Sequence, residues 1–147
     1  MSISKQQLYN ACLDYVQTRI NNASKAIQEA QEASNSETKS TAGDKHDTAR
    51  AMMQLEIEKN AKQLAEAQKL KRALSQINAD KICEEVEIGA MVETSRGNFF
   101  VAISAGKVDG NYFAISPVSP IGQLLTGLKE GDRCTFNGNE FKILAVN

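Results

Sequence analysis

The chain has 147 residues, 41% of them hydrophobic, with 17 basic and 18 acidic side chains and a formal net charge of -1. That length allows one or two modest cores, and a charge so close to neutral excludes binding to nucleic acid by bulk attraction to phosphate. Cys12, Cys83 and Cys134 are widely spaced and there is one histidine in the chain, which excludes a structural zinc site built from about four clustered ligands.

The amino terminus, MSISKQQLYN, lacks an apolar run of signal-peptide length, and no segment approaches the roughly 20 apolar residues that span a bilayer. The expectation is a cytoplasmic protein with reduced, partly buried thiols and no membrane partner. From residue 3 to about 77 there is no proline and one glycine, Gly43. Leu13, Val16, Ile20, Ala23, Ile27 and Ala30 recur at alternating steps of three and four, the spacing of a coiled-coil seam. Met53, Ile57, Leu64, Ala67 and Leu74 continue that register beyond the interruption, with Asn60 and Lys71 at seam positions between them. A seam this narrow leaves most of each helix wet, so the pattern predicts two helices closing on one another as an antiparallel hairpin.

The interruption from Asn35 to Gly43 is rich in Ser, Thr, Asn and Gly and predicts the tip of the hairpin, within residues 35–47. A second helix starting near Asp44 puts that residue at or beside the N-cap and Asp47 in the first turn. Capping and the helix dipole explain both acids without any further role. The same spacing also lets two carboxylates converge on one hard cation, Mg²⁺, which would need more ligands from elsewhere.

From Cys83 onward the texture changes to short runs rich in β-branched and aromatic residues, VEIGAMVET, NFFVAIS, NYFAIS, CTF and EFKILAV. Turn signals at Arg96-Gly97-Asn98, Asp109-Gly110-Asn111, Glu130-Gly131-Asp132 and Asn137-Gly138-Asn139 separate them, and the last is a hairpin signal. Between the third and fourth runs, Ser119 can cap a short helix, Pro120 suits its first position, Ile121, Leu124, Leu125 and Leu128 share a face, and Gly127 can end it. The fold class expected is therefore α+β: a helical hairpin over 1–78, then a small antiparallel sheet domain with one short helix over 79–147, the boundary falling near Asn78 to Cys83.

Gly43-Asp44-Lys45-His46-Asp47-Thr48-Ala49 resembles the tip motif of the Gre transcript cleavage factors of bacterial RNA polymerase, and ISPVSPIGQLLTGLKEGDRCTFNGNEFKILAV resembles that family's carboxy-terminal motif. The order of parts agrees over nearly the whole chain. The resemblance implies an FKBP-like fold for the second domain, docked at the rim of the polymerase's secondary channel while the hairpin threads inward. It implies that Asp44 and Asp47 help hold the second Mg²⁺ and an attacking water beside the nascent RNA, with polymerase carboxylates holding the first ion. On that reading Ser119, Pro120 and Ile121 present an apolar edge to the polymerase, the protein is a monomer, and it is not itself an enzyme.

Asp47 stands where the family usually has Glu, Thr48 where it has Asn, and Arg50 and Ala51 where it tends to show Glu and Tyr. Some relatives of this architecture occupy the channel and inhibit, so a non-cleaving regulator stays open. So do a plain coiled-coil interaction protein and a prolyl isomerase in the second domain. Solvated charge is the plain reading of His46, Lys39, Lys45 and Arg50; the alternatives are a metal or phosphate contact for His46 and transcript contacts for the three cations.

Overall fold

The structure is a computed structural model. It describes residues 3–37 and 43–147, apart from the side chains of 36, 37 and 43–46. Two helices, α1 (Lys5–Glu37) and α2 (Gly43–Ser75), precede β1 (Met91–Thr94), β2 (Gly97–Val101), β3 (Gly106–Lys107), β4 (Tyr112–Ile115), a short α3 (Pro120–Leu125), β5 (Arg133–Phe136) and β6 (Asn139–Val146). The α+β class and the order of parts are those expected. The chain forms two compact units, one of Val16–Leu70 and one of Met1–Tyr15 with Lys71–Asn147.

In the Val16–Leu70 unit the helices run antiparallel: Arg19, Asn22 and Ala23 share a cleft with Asn60 and Gln63, and Ala26 and Ala30 share another with Ala49 and Met53. Val16, Ala23 and Ala67 are buried, so the seam is one small side chain wide. Asn60 is buried in it and is satisfied locally, its Nδ2 donating to the Glu56 carbonyl at 2.8 Å and to Glu56 Oε1 at 3.0 Å. A buried amide inside a helical seam fixes register at some cost in stability.

Two details of the seam differ from the sequence pattern. Lys71 is exposed while Leu70 is half-buried and Leu74 fully buried, because 3.6 residues per turn drifts off a strict heptad and carries the stripe to the neighbouring position. Toward the start of α1 the buried apolar residues are Leu8, Cys12 and Val16, four apart, with Leu13 half-buried at the stripe's edge.

In the other unit the six strands lie in the order β3-β4-β2-β1-β6-β5. The sheet is mixed, not wholly antiparallel as expected: β2 and β4 are parallel, Asn98 opposite Tyr112 through Val101 opposite Ile115. The chain leaves β2, turns back through the two-residue edge strand β3, and enters β4 in the direction of β2, with β3 and β4 antiparallel. Two residues are too few to leave a periodic signal, so β3 was invisible in the sequence.

One face of the sheet carries the core of Cys83, Val86, Ala90, Val92, Val101, Leu125 and Ile143. Phe99 aligns with Val92 on one side and Phe113 on the other, and its ring lies 6.5 Å from that of Phe113 and 6.4 Å from that of Phe141. Phe100, aligned with Met91 and Ala114, is fully buried on the opposite face. Phe100, Tyr112 and Phe141 are buried, Phe99 and Phe136 half-buried, and Phe113 is 44% exposed. The β5–β6 hairpin turns on Asn137 and Gly138, with φ of 52° and 80°, the left-handed pair that a two-residue turn requires.

The three thiols are free; Cys12 and Cys83 are buried and Cys134 is half-buried. Burial pushes the Cys12 thiol up to about 11 from an ordinary 9.0. A raised folded value means the stability tied to the protonated thiol is complete below pH 9 and drains as pH rises toward 11. Cys12→Ala removes that titration, so the variant's loss of stability across this window is expected to be shallower than that of the natural chain, read from urea midpoints at both ends. Ile143→Ala, at a fully buried site, is expected to cost about 2–5 kcal/mol with an unchanged denaturant slope.

Candidate functional site

The residues named from the sequence fall in two places. Asp44 and Asp47 occupy the second and fifth positions of α2, which starts at Gly43. A spacing of three puts both positions on one side of the helix. Asp47 is exposed, as are Thr48 and Arg50, while Ala49 turns toward α1. Residues 38–42, within the expected tip, lie outside the described residues, as do the side chains of Asp44, Lys45 and His46.

Among the described residues no group of three or more His, Cys, Asp or Glu side chains is placed to hold a metal ion.

Just inward of Asp47 the helices part around an apolar cleft of about 550 Å³ lined by Ala26, Ala30, Ala49, Met52 and Met53, with Glu29 and Glu56 at its edge. The sequence pattern placed Ala30 and Met53 in the seam, but not Ala26 or Ala49, and missed the space these small side chains leave. Met52 and Leu55 are 66% and 64% exposed beside it. The signal was present in the pairing of Ala30 with Ala49, two residues too short to meet across the interface.

The second place is the start of α3. Ser119 is its N-cap, with φ -67° and ψ 158°; its Oγ accepts from the Gly122 amide at 3.1 Å and donates to the Ser116 carbonyl at 2.6 Å. Pro120 is exposed at the first helical position, where the missing amide is no loss. Ile121 is half-buried against the core together with Leu128, and Leu125 is fully buried. Leu124, expected on that inward face, is 42% exposed, and with Val118 at 75% it forms an apolar edge beside Pro120. A helix of six residues on a twisted sheet has room for an inward pair at 121 and 125, and position 124 falls at its margin.

No family model matches the chain, and no curated protein matches it. Among solved structures, that of the transcription factor Gfh1 is similar, at 19% identity over 92% of this chain and 93% of that chain, with a TM-score of 0.39. No residue role is carried over from it. No helix among the described residues is long and apolar enough to cross a membrane.

The α3 geometry makes two substitutions diagnostic. A Cβ at Gly122 would lie 2.0 Å from the Ser116 carbonyl oxygen and 3.0 Å from Pro117 Cα, so Gly122→Ala must displace backbone and is expected to lower stability by roughly 1–3 kcal/mol. Ser119→Ala, which removes the cap alone, is expected to cost about 1 kcal/mol. Equal losses by chemical denaturation for the two variants would contradict this account of the loop.

Proposed function

We propose that this protein is a secondary-channel factor of bacterial RNA polymerase that modulates elongation by bringing the Asp44 and Asp47 carboxylates to a Mg²⁺ ion shared with the polymerase. The observation that carries the reading is the exposed Asp47, one helical turn beyond Asp44, at the start of a 33-residue helix paired with another of equal length. Each such helix is about 50 Å long. Also in support, the Gly-Asp-x-x-Asp tip motif and the Ser-Pro-Ile-Gly motif of α3 occur together, in the order and separation of the Gre cleavage factors.

The division of labour follows from chemistry. Asp44 and Asp47 would be the protein's share of the cation's ligands, and polymerase carboxylates the remainder. When bound, the ion would supply charge neutralisation and an oriented water at the RNA phosphate. The chain then contributes position and two ligands and is no enzyme by itself. In the sheet unit, Pro120 with Val118 and Leu124 offers an apolar edge for the channel rim, on a helix whose start is fixed by the Ser119 cap. Ser119 positions this edge, and Ile121 reaches from it into the core.

A second reading has its own observation. Arg50 is exposed one turn beyond Asp47, where the cleavage factors tend to show an acid. A cation at that place disfavours a second metal ion and suits a factor that occupies the channel without promoting cleavage.

Backtracked elongation complexes distinguish the two. Stimulated release of short 3' RNA fragments is expected with the natural chain. With Asp44→Asn plus Asp47→Asn the rate is expected to fall back to that of polymerase alone, about 10²-fold for a lost positioning contribution, while binding to core polymerase persists. Binding accompanied by inhibition of initiation and no shortened RNA supports the regulator instead. Absence of polymerase binding overturns both.

A further inference from the structure

Lys5, at the first position of α1, is buried, its Nζ donating to the Lys81 carbonyl and to Cys83 Sγ, the latter at 3.5 Å. Cys83 Sγ in turn donates to Glu87 Oε1 at 3.4 Å, and that oxygen is paired with Lys81 Nζ at 2.6 Å. Among the described residues, Cys83 is the thiol held between an amine and a carboxylate. The hydrogen bond from Lys81 holds the Glu87 carboxyl below its usual range, so it stays an anion that accepts the hydrogen bond from sulfur. Burial pushes the Cys83 thiol up, while the Lys5 charge pulls the other way.

Although Cys83 is only 3% exposed, it lines a polar cleft of about 430 Å³ together with Lys81, Glu85, Glu87 and Lys129. That gives a small polar oxidant a route to the sulfur that a sealed core would deny. The amine that would trap the oxidised sulfur is already in contact with it.

We propose that Lys5 and Cys83 form a reversible oxidative crosslink through a single oxygen, joining the first turn of α1 to the segment that follows α2. The oxidant is a peroxide. One hydrogen peroxide converts the thiol to a sulfenic acid: its O–O bond breaks, sulfur gains the hydroxyl, and one water leaves. Lys5 releases its ammonium proton to solvent, and a second peroxide removes two electrons as the nitrogen–oxygen bond forms. The hydrogens lost from nitrogen and from the sulfenic hydroxyl leave in two further waters. The product is a sulfur–oxygen–nitrogen bridge, and the sum is two peroxides consumed and three waters formed. At 3.5 Å the pair needs less closure to accept an intervening oxygen than to make a direct sulfur–nitrogen bond.

The bridge would close a loop between residues 78 apart in sequence, which restricts the unfolded chain and raises the unfolding temperature. Both partners lie in the same compact unit, so no rearrangement between units is required. The site is thus a redox fastener on the base of the first helix, independent of the acidic residues of α2.

The test is peptide mapping of the intact chain after hydrogen peroxide, without reductant. The expected product is one peptide pair joining Lys5 to Cys83 with a gain of one oxygen and a loss of two hydrogens, missed trypsin cleavage at Lys5, and reversal by dithiothreitol together with the rise in melting temperature. Lys5→Arg, which keeps the charge, is expected to abolish the pair and leave oxygen adducts on Cys83, and Cys83→Ser to abolish both. Oxygen adducts on Cys83 of the natural chain with no linked peptide, or no modification of Cys83 at all, would overturn the proposal. The natural chain's map decides the matter even where a variant fails to fold.

Discussion

A seam of buried small side chains holds together the Val16–Leu70 part of two 33-residue helices, and the rest of this molecule depends on that contact. Mean hydropathy is -0.37 for the whole chain, and between Val16 and Leu70 only Val16, Ala23, Asn60 and Ala67 are buried among the described residues, flanked by half-buried neighbours such as Ile20, Ile27, Ile57 and Leu64. Neither could persist without the other, because isolated helices of such polar composition gain too little to offset nucleation. The seam also decides what the hairpin can present. With alanine at positions 26, 30 and 49 the helices leave an open cleft between them. The buried amide of Asn60 is satisfied within its own helix, by Glu56.

The same economy governs the sheet unit. Leu125 on α3 and Ile143 on β6 are fully buried in one core with Val92 and Val101, so the short helix is held by a single leucine and its flanking half-buried residues. Its position is then fixed by the loop that precedes it. The Ser119 hydroxyl donates to the Ser116 carbonyl and accepts from the Gly122 amide in a turn too tight for a Cβ. Capping and presentation of an apolar edge are thereby one device: the bonds that start the helix also leave Val118 and Leu124 outside it. The functional and the structural readings of Ser119 are compatible because they concern different atoms, the hydroxyl facing inward and the neighbouring side chains facing out.

Electrostatics in this protein are local. The exposed pairs Lys25–Glu29 and Arg133–Glu140 are of the kind that contributes little. The Lys5, Cys83, Glu87 and Lys81 chain is different, since it brings a buried amine against a buried thiol and ties the beginning of the first helix to the residues after the second. It satisfies a lysine that burial would otherwise penalise, and the segment from Lys81 to Glu87 is held by it beside the backbone bond from Val86 to Leu128.

What the sequence determined by itself was periodic or punctuated. The helix span came from the absence of proline and the three-four spacing, the β6 hairpin from Asn137-Gly138, and the α3 start from Ser119-Pro120, because each rests on backbone preferences acting within a few residues. Asp44 and Asp47 were legible as positions on one side of a helix for the same reason. Tertiary structure alone decided the parallel pairing of β2 with β4, the exchange of Lys71 for Leu70 at the edge of the seam, the exposure of Leu124, the cleft between Ala30 and Ala49, and the meeting of Lys5 with Cys83. Each of these depends on which surfaces face one another after the chain has closed on itself. Residues 78 apart carry no local signal of their contact, and a stripe's exact edge is set by its neighbour's shape rather than by its own spacing.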